Sequence, residues 1–118
     1  MDRGELGRRG EAVAARYYVR KGYTLLDHNY RTRMGELDLV LLKGEQLVIA
    51  EDKTRTSEHF ARPCESVDAF KQKRLILAAR SYLQRSPYGE YPVRFDVVEV
   101  IPVQNGWKVH CIPDAFQC

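Results

Sequence analysis

Cysteine is scarce in this 118-residue chain: only Cys64, Cys111 and Cys118 occur. The number is odd and the spacing matches no metal-ligand pattern. Neither a disulfide framework nor a zinc ribbon is expected, and a reducing cytoplasm is the expected compartment. Long hydrophobic runs are missing too. Leu39-Val40-Leu41-Leu42 is among the longest uncharged apolar runs, far short of the roughly 20 residues that span a bilayer. No apolar stretch follows the N-terminus, which argues against a secretion signal. Internal repeats, low-complexity tracts and Pro/Ser-rich linkers are absent as well. What remains is 44% apolar and 30% charged, the composition of a globular chain. Its length fits one domain over residues 1–118, which removes roughly two-thirds of its unfolded surface from water.

The net charge of +3 is mild, but its distribution is not. Residues 1–33 carry a net +4, residues 34–52 a net −4, residues 53–85 a net +5, and residues 86–118 a net −2. An acidic centre between basic flanks suits a cation held beside a polyanion, although solvated surface charge gives the same totals.

The spacing predicts a helix over about Glu5–Lys21, with Leu6, Gly10, Val13 and Tyr17 as its buried line and Gly22 as its stop. Tyr23–Tyr30 reads as an edge strand or lead-in. Glu36–Lys43 and Gln46–Lys53 read as a hairpin around Gly44-Glu45, with glycine first, as in a type II′ turn. In that register paired numbers sum to 89, so Asp38 lies opposite Glu51 and Glu36 opposite Lys53. Residues 54–65 read as a polar loop, and a second helix runs from about Ser66 to Gln84. Its apolar line is Val67, Phe70, Leu75, Ala78, Ala79, Tyr82 and Leu83, and its basic rim is Lys71, Lys73, Arg74 and Arg80. Val93–Ile101 and Trp107–Ile112 close the chain as strands around an Asn105-Gly106 turn. Helices on a mixed central sheet are the expected architecture.

Asp38, then Glu51-x-Lys53, carries the chemistry. Strand alternation puts Glu36, Asp38, Glu51 and Lys53 on one face. Two opposed carboxylates repel, and a hard cation such as Mg²⁺ or Mn²⁺ relieves them. Lys53 then stands beside the negative charge that develops when a phosphodiester is hydrolysed. The same residues also suit a plain exposed hairpin with cross-strand ion pairs, Glu36 with Lys53 being the obvious one.

The surrounding strings are more specific: Gly7-Arg8-Arg9-Gly10-Glu11, Asn29-Tyr30-Arg31, Gly35-Glu36-Leu37-Asp38-Leu39-Val40, Glu51-Asp52-Lys53-Thr54-Arg55-Thr56, Val67-x-x-x-Lys71-Gln72, and Arg94-Phe95-Asp96-Val97-Val98-Glu99-Val100. In this order, from about Gly4 to Phe116, they resemble the bacterial YraN family of small predicted endonucleases, which is similar to archaeal Holliday-junction resolvases. The resemblance implies a restriction-endonuclease-like α/β/α sandwich with a mixed central sheet. It implies Asp38 and Glu51 as ligands of Mg²⁺ or Mn²⁺, Lys53 as the catalytic lysine, and Glu11 as a fourth catalytic group completing the metal site. Arg55 and Lys71, inside matched strings, become the leading phosphate contacts, with Arg8, Arg9, Arg31, Arg33, Lys73 and Arg74 as an extended footprint. The implied substrate is DNA, possibly branched. A homodimer would bring two sites to a junction, and no membrane is implied.

One residue departs from the family pattern. Asp52 replaces the usual aliphatic residue, and alternation turns it from the catalytic face toward Val48 and Ala50. A helix cation could pair with it, the strand end could be solvated, or a twist could bring it into the metal site. Asp52 also keeps a second reading open, a domain that binds nucleic acid or a partner without turnover. In the loop, Ala61 stands where family members tend to have glycine. His28, His59 and His110 show no partner spacing, though His59 lies where it could shuttle a proton. Tyr17 and Tyr18 read as core and rim.

Overall fold

The structure, a computed structural model, describes residues 2–56 and 67–116. Helix α1 (Arg3–Arg20) begins where Asp2 caps it, its Oδ1 accepting the Glu5 N–H at 2.8 Å. It gives way at Lys21 to Gly22, whose φ of +94° reverses the chain. Its buried residues are Gly10, Val13, Ala14 and Tyr18, so the buried line lies one step round from the expected one, and Leu6 and Tyr17 are half-buried. The rotation lets Tyr18 send its hydroxyl to a carboxylate beneath the helix.

Five strands follow: β1 (Thr24–Arg31), β2 (Glu36–Lys43), β3 (Gln46–Thr54), β4 (Val93–Val103) and β5 (Gly106–Phe116), with helix α2 (Ala69–Gln84) between β3 and β4. Their spatial order is β1-β2-β3-β4-β5, antiparallel throughout except for the parallel β3–β4 pair. A parallel pair needs a crossover, and α2 supplies it. Against one face of the sheet, α1 packs Val13, Ala14 and Tyr18 on Leu39, Leu41, Val48, Ala50, Val98 and Val100. Against the other, α2 packs Leu75, Ala78 and Ala79 on Val40, Ile49, Phe95 and Val97. The result is the expected α/β/α arrangement with a mixed central sheet, compatible with the restriction-endonuclease-like fold.

Several local expectations shift. Asp68 caps α2 at Ala69: its Oδ1 accepts the Lys71 N–H at 2.8 Å. Phe70 leaves the expected apolar line and is 72% exposed, because at 3.6 residues per turn it falls on a different side of α2 from the buried Leu75, Ala78 and Ala79. The second hairpin loop is Gln104-Asn105, with Asn105 at φ +70° and Gly106 already paired with Val103. Strand β5 continues past Pro113 to Phe116, whose ring stacks on Phe95 at 4.8 Å. An edge strand tolerates that proline because its outer side needs no ladder donor. His59, the Phe60-Ala61-Arg62-Pro63 segment, Cys64, Ser66 and Cys118 lie outside the described residues.

One contact fixes α1 over the strand that carries the chemistry. At Gly10 the helix approaches β3 so closely that a Cβ would fall inside the Thr54 side chain. Only glycine fits that distance.

Candidate active site

The β2–β3 ladder keeps the predicted register, Lys43 with Gln46 through Leu39 with Ala50, and ends there. Beyond that point the Asp52 N–H donates to Asp38 Oδ2 at 2.8 Å instead of continuing the pairing. A side-chain carboxylate has intercepted a ladder donor. That contact fixes the Asp38 carboxylate at the strand end beside Glu51.

Both acids line one open cleft of about 400 Å³ between β2, β3 and the start of α2, together with Gly35, Glu36, Phe70, Lys71 and Arg74. Glu51 is buried, and two amines reach the same oxygen: Lys71 Nζ lies 2.6 Å from Oε1 and Lys53 Nζ 3.7 Å from it. The expected Glu36–Lys53 pair does not form; Glu36 meets Arg31 at 3.5 Å instead. Alternation along β3 puts Lys53 on the same face as Glu51, and the first turn of α2 lowers Lys71 onto the Glu51 carboxylate.

The electrostatics follow from this crowding. Burial, then the Glu51 charge, push the Asp38 carboxyl up to about 8. Burial, then the contact with Lys71, hold the Lys53 ammonium below the ordinary lysine range. Burial also works against charge on Lys71, but its hydrogen bond to Glu51 and its other contacts leave it above that range.

Asp38 and Glu51 are hard oxygen donors in one cleft, and Mg²⁺ is commonly held by one or two carboxylates with water filling the remaining positions. That donor set fits Mg²⁺ or Mn²⁺. No group of three His, Cys, Asp or Glu side chains among the described residues is placed to hold a metal.

Glu11 stands apart from this cleft. Its Oε1 accepts from Asn29 Nδ2 at 2.7 Å and lies 3.5 Å from His28 Nδ1, and it lines a neighbouring pocket with Arg8, Leu25 and Leu39. Its charge is nevertheless felt at both Asp38 and Asp52. Asn29, across from Asp38 in the β1–β2 register, holds φ +52° while it makes this bond. Nothing in the sequence marked it beyond its place in a matched string. Arg55 borders a different pocket, with Arg3, Leu6 and Gly7, though its charge acts on Lys53, and its Nε is buried without a hydrogen-bond partner among the described residues.

None of the three explanations offered for Asp52 is the one observed. Its two oxygens accept the Thr54 hydroxyl at 3.0 and 2.9 Å on the α1 side, under Gly10. Burial outweighs that hydrogen bond and pushes its carboxyl up to about 7. The polar residue between Glu51 and Lys53 is thus absorbed by its neighbour two positions on.

The raised Asp38 value has a sign that can be checked. Its folded pKa lies above the ordinary 3.8, so the folded state holds a proton that the unfolded chain has released. Stability from this group is complete below about pH 4, declines as pH rises, and is gone above about pH 8. Asp38→Asn removes the effect while keeping an acceptor for the Asp52 N–H. In EDTA, the melting temperature of Asp38→Asn relative to the native chain is expected to climb between pH 5 and 8.5, reaching an advantage of several degrees. A constant difference across that range would contradict this assignment.

Comparison with known proteins gives a consistent result. The family model described as "Uncharacterised protein family UPF0102" matches residues 10–100. A protein from Alkaliphilus metalliredigens, named a UPF0102 protein, is 42% identical over 111 residues, covering 94% of this chain and 96% of its own. One from Thermodesulfovibrio yellowstonii is 41% identical over 116 residues, covering 98% and 99%. One from Clostridioides difficile is 35% identical over 116 residues, covering 98% and 100%.

Proposed function

Because this chain belongs to the UPF0102 family, whose match spans residues 10–100 and whose name carries no activity, we propose its function from its own cleft: a metal-dependent endonuclease that hydrolyses DNA phosphodiester bonds and selects structure over sequence. The observation that carries this reading is that Asp38 and Glu51 line one open cleft, with Lys53 Nζ 3.7 Å from Glu51 Oε1.

Each side chain has a part. Asp38 and Glu51 would hold Mg²⁺ or Mn²⁺, which when bound supplies Lewis-acid polarisation of the phosphoryl oxygen and a more acidic water. Lys53 Nζ sets a positive charge beside the phosphate, in a partly dry site where that charge acts strongly. Lys71 pairs with the buried Glu51 carboxylate at 2.6 Å and orients it. Glu11 adds negative potential from the α1 side, which favours a cation at Asp38. The Asp52–Thr54 tether supports turnover over mere binding, since it holds the atypical carboxylate on the face away from the cleft.

A cleft open to solvent on a chain this small leaves little surface for reading base edges, which favours structure-selective cutting of branched or junction DNA by two chains. No helix is long and apolar enough to cross a membrane among the described residues. The cytoplasm, where Cys111 stays a thiol, suits the proposal. The test is incubation with end-labelled four-way junction, single-stranded and duplex DNA in Mg²⁺, Mn²⁺ or EDTA. Metal-dependent cutting of at least one substrate supports the reading, and intact DNA in every lane refutes it.

A further inference from the structure

Beside the carboxylate cleft lies a second one of about 490 Å³, between the β1–β2 connection and the outer side of α2. Arg31, Arg33, Arg80 and Arg85 line it with Thr32, Ser81, Gln84 and two apolar residues; among the described residues no acid lines it, and Arg31 is the one of the four that meets Glu36, at 3.5 Å. Arg33, Arg80 and Arg85 together give this cleft a concentrated positive field, and such a field selects a polyanion. The two clefts run along the same helix. Lys71 and Arg74 border the first, Arg80 and Arg85 the second, and Arg74 Nε joins them by donating to Met34 O at 2.7 Å. From Lys71 to Arg85 is about 21 Å at 1.5 Å per residue, room for several nucleotides.

Phe70 stands at the carboxylate end of this line. It is 72% exposed on the cleft wall, and the Arg74 guanidinium lies 5.8 Å from its ring centroid. A phenylalanine left in water costs apolar burial that the same helix position could have avoided with a polar residue. A cationic groove that follows a backbone, with an aromatic ring offered to a base, is how unpaired nucleic-acid strands are held. A folded duplex presents no free base face to such a ring.

We propose that the outer side of α2 is a track for an unpaired DNA strand, with its phosphates on Arg33, Arg80 and Arg85 and one unpaired base stacked on Phe70 beside the Asp38–Glu51 cleft. This deepens the endonuclease reading, on which it rests, by naming its substrate as DNA with unpaired nucleotides next to the scissile phosphate.

The test is fluorescence anisotropy in EDTA with a labelled 12-nucleotide single strand and the matching duplex, so that cleavage plays no part. Phe70→Ala is expected to weaken single-strand binding by roughly 5- to 150-fold, as loss of one stacked base does, while duplex binding stays within about twofold. Phe70→Trp is expected to restore it. The Arg33/Arg80/Arg85 triple alanine variant is expected to reduce the slope of log affinity against log salt by about 2 for the single strand, near 0.7 per lost phosphate contact. Unchanged single-strand binding in Phe70→Ala, an equal loss on duplex, an unchanged slope in the triple variant, or no binding by the native chain would each overturn the track. Circular dichroism melts of these surface variants check that they fold. If the native chain binds as described but cuts nothing with Mg²⁺ or Mn²⁺, the track stands and the nuclease reading falls. If it cuts and the variants bind normally, the reverse holds.

Discussion

Lys53→Ala is expected to lower metal-dependent DNA cleavage by about a hundredfold or more, the usual loss when one charge-stabilising donor leaves a preorganised site. The lysine is 18% exposed and lies 3.7 Å from Glu51, so its ammonium is held in place before substrate arrives. The removed atoms lie outside the hydrophobic core. Thermal stability is therefore expected to change little, and single-strand binding in EDTA to stay within a few-fold. Lys53→Arg keeps the charge but not its point-like geometry and is expected to recover only part of the rate. A quenched-flow or gel time course with the native chain and both variants measures this. Full activity in Lys53→Ala would transfer the role to Lys71, the other amine at Glu51 Oε1.

The largest expected loss of stability lies on the far side of the sheet. Asp96 is fully buried under α1 and accepts four hydrogen bonds: from Arg94 Nε at 2.8 Å and Nη2 at 3.0 Å, from Tyr18 Oη at 2.8 Å, and from the Asp114 N–H at 2.9 Å. Arg94 also donates to Tyr23 Oη at 2.9 Å. One carboxylate thus ties α1, β4 and β5 and the turn into β1. Burial, then the Asp96 charge, drive the Tyr18 hydroxyl far above the ordinary tyrosine range, so it stays a donor at any accessible pH. Asp96→Ala would leave an arginine, a phenol and an amide without their acceptor in a dry site. Breaking a buried pair by removing one partner costs about 3–5 kcal/mol. The expected drop in melting temperature is roughly 10–20 °C, read by urea and thermal unfolding. A loss under 1 kcal/mol would mean that water reaches Arg94 and Tyr18 once the carboxylate is gone.

Much of this architecture was legible in residue order because local chemistry decided it. Gly44 allowed a two-residue loop, that loop set a register summing to 89, and the register brought Asp38 level with Glu51 before any tertiary contact was known. A mixed sheet was expected, but which strands run parallel, β3 with β4, was not legible, since spacing alone does not order strands. Other features were not legible because they depend on partners distant in sequence. Tyr18 displaces Tyr17 as the buried ring since Asp96, 78 residues away, accepts its hydroxyl. Phe70 was read into the apolar line of α2, but the helix buries Leu75, Ala78 and Ala79 and leaves Phe70 on another side, exposed. Lys71 read as a phosphate contact, but α2 sets its amine on Glu51. Asp52 read as an anomaly until Thr54, two residues on, was seen to hold both its oxygens. Glu11 was placed in the metal site by resemblance, and the structure gives its carboxylate Asn29 and His28 as neighbours.

The account stands on a divalent cation held by Asp38 and Glu51. Titration of the protein with Mn²⁺, following free ion by electron paramagnetic resonance, measures that directly. Saturable binding by the native chain and by Lys53→Ala, lost in Asp38→Asn, is the predicted result. Equal binding by Asp38→Asn, or none by the folded native chain at millimolar Mn²⁺, would contradict it.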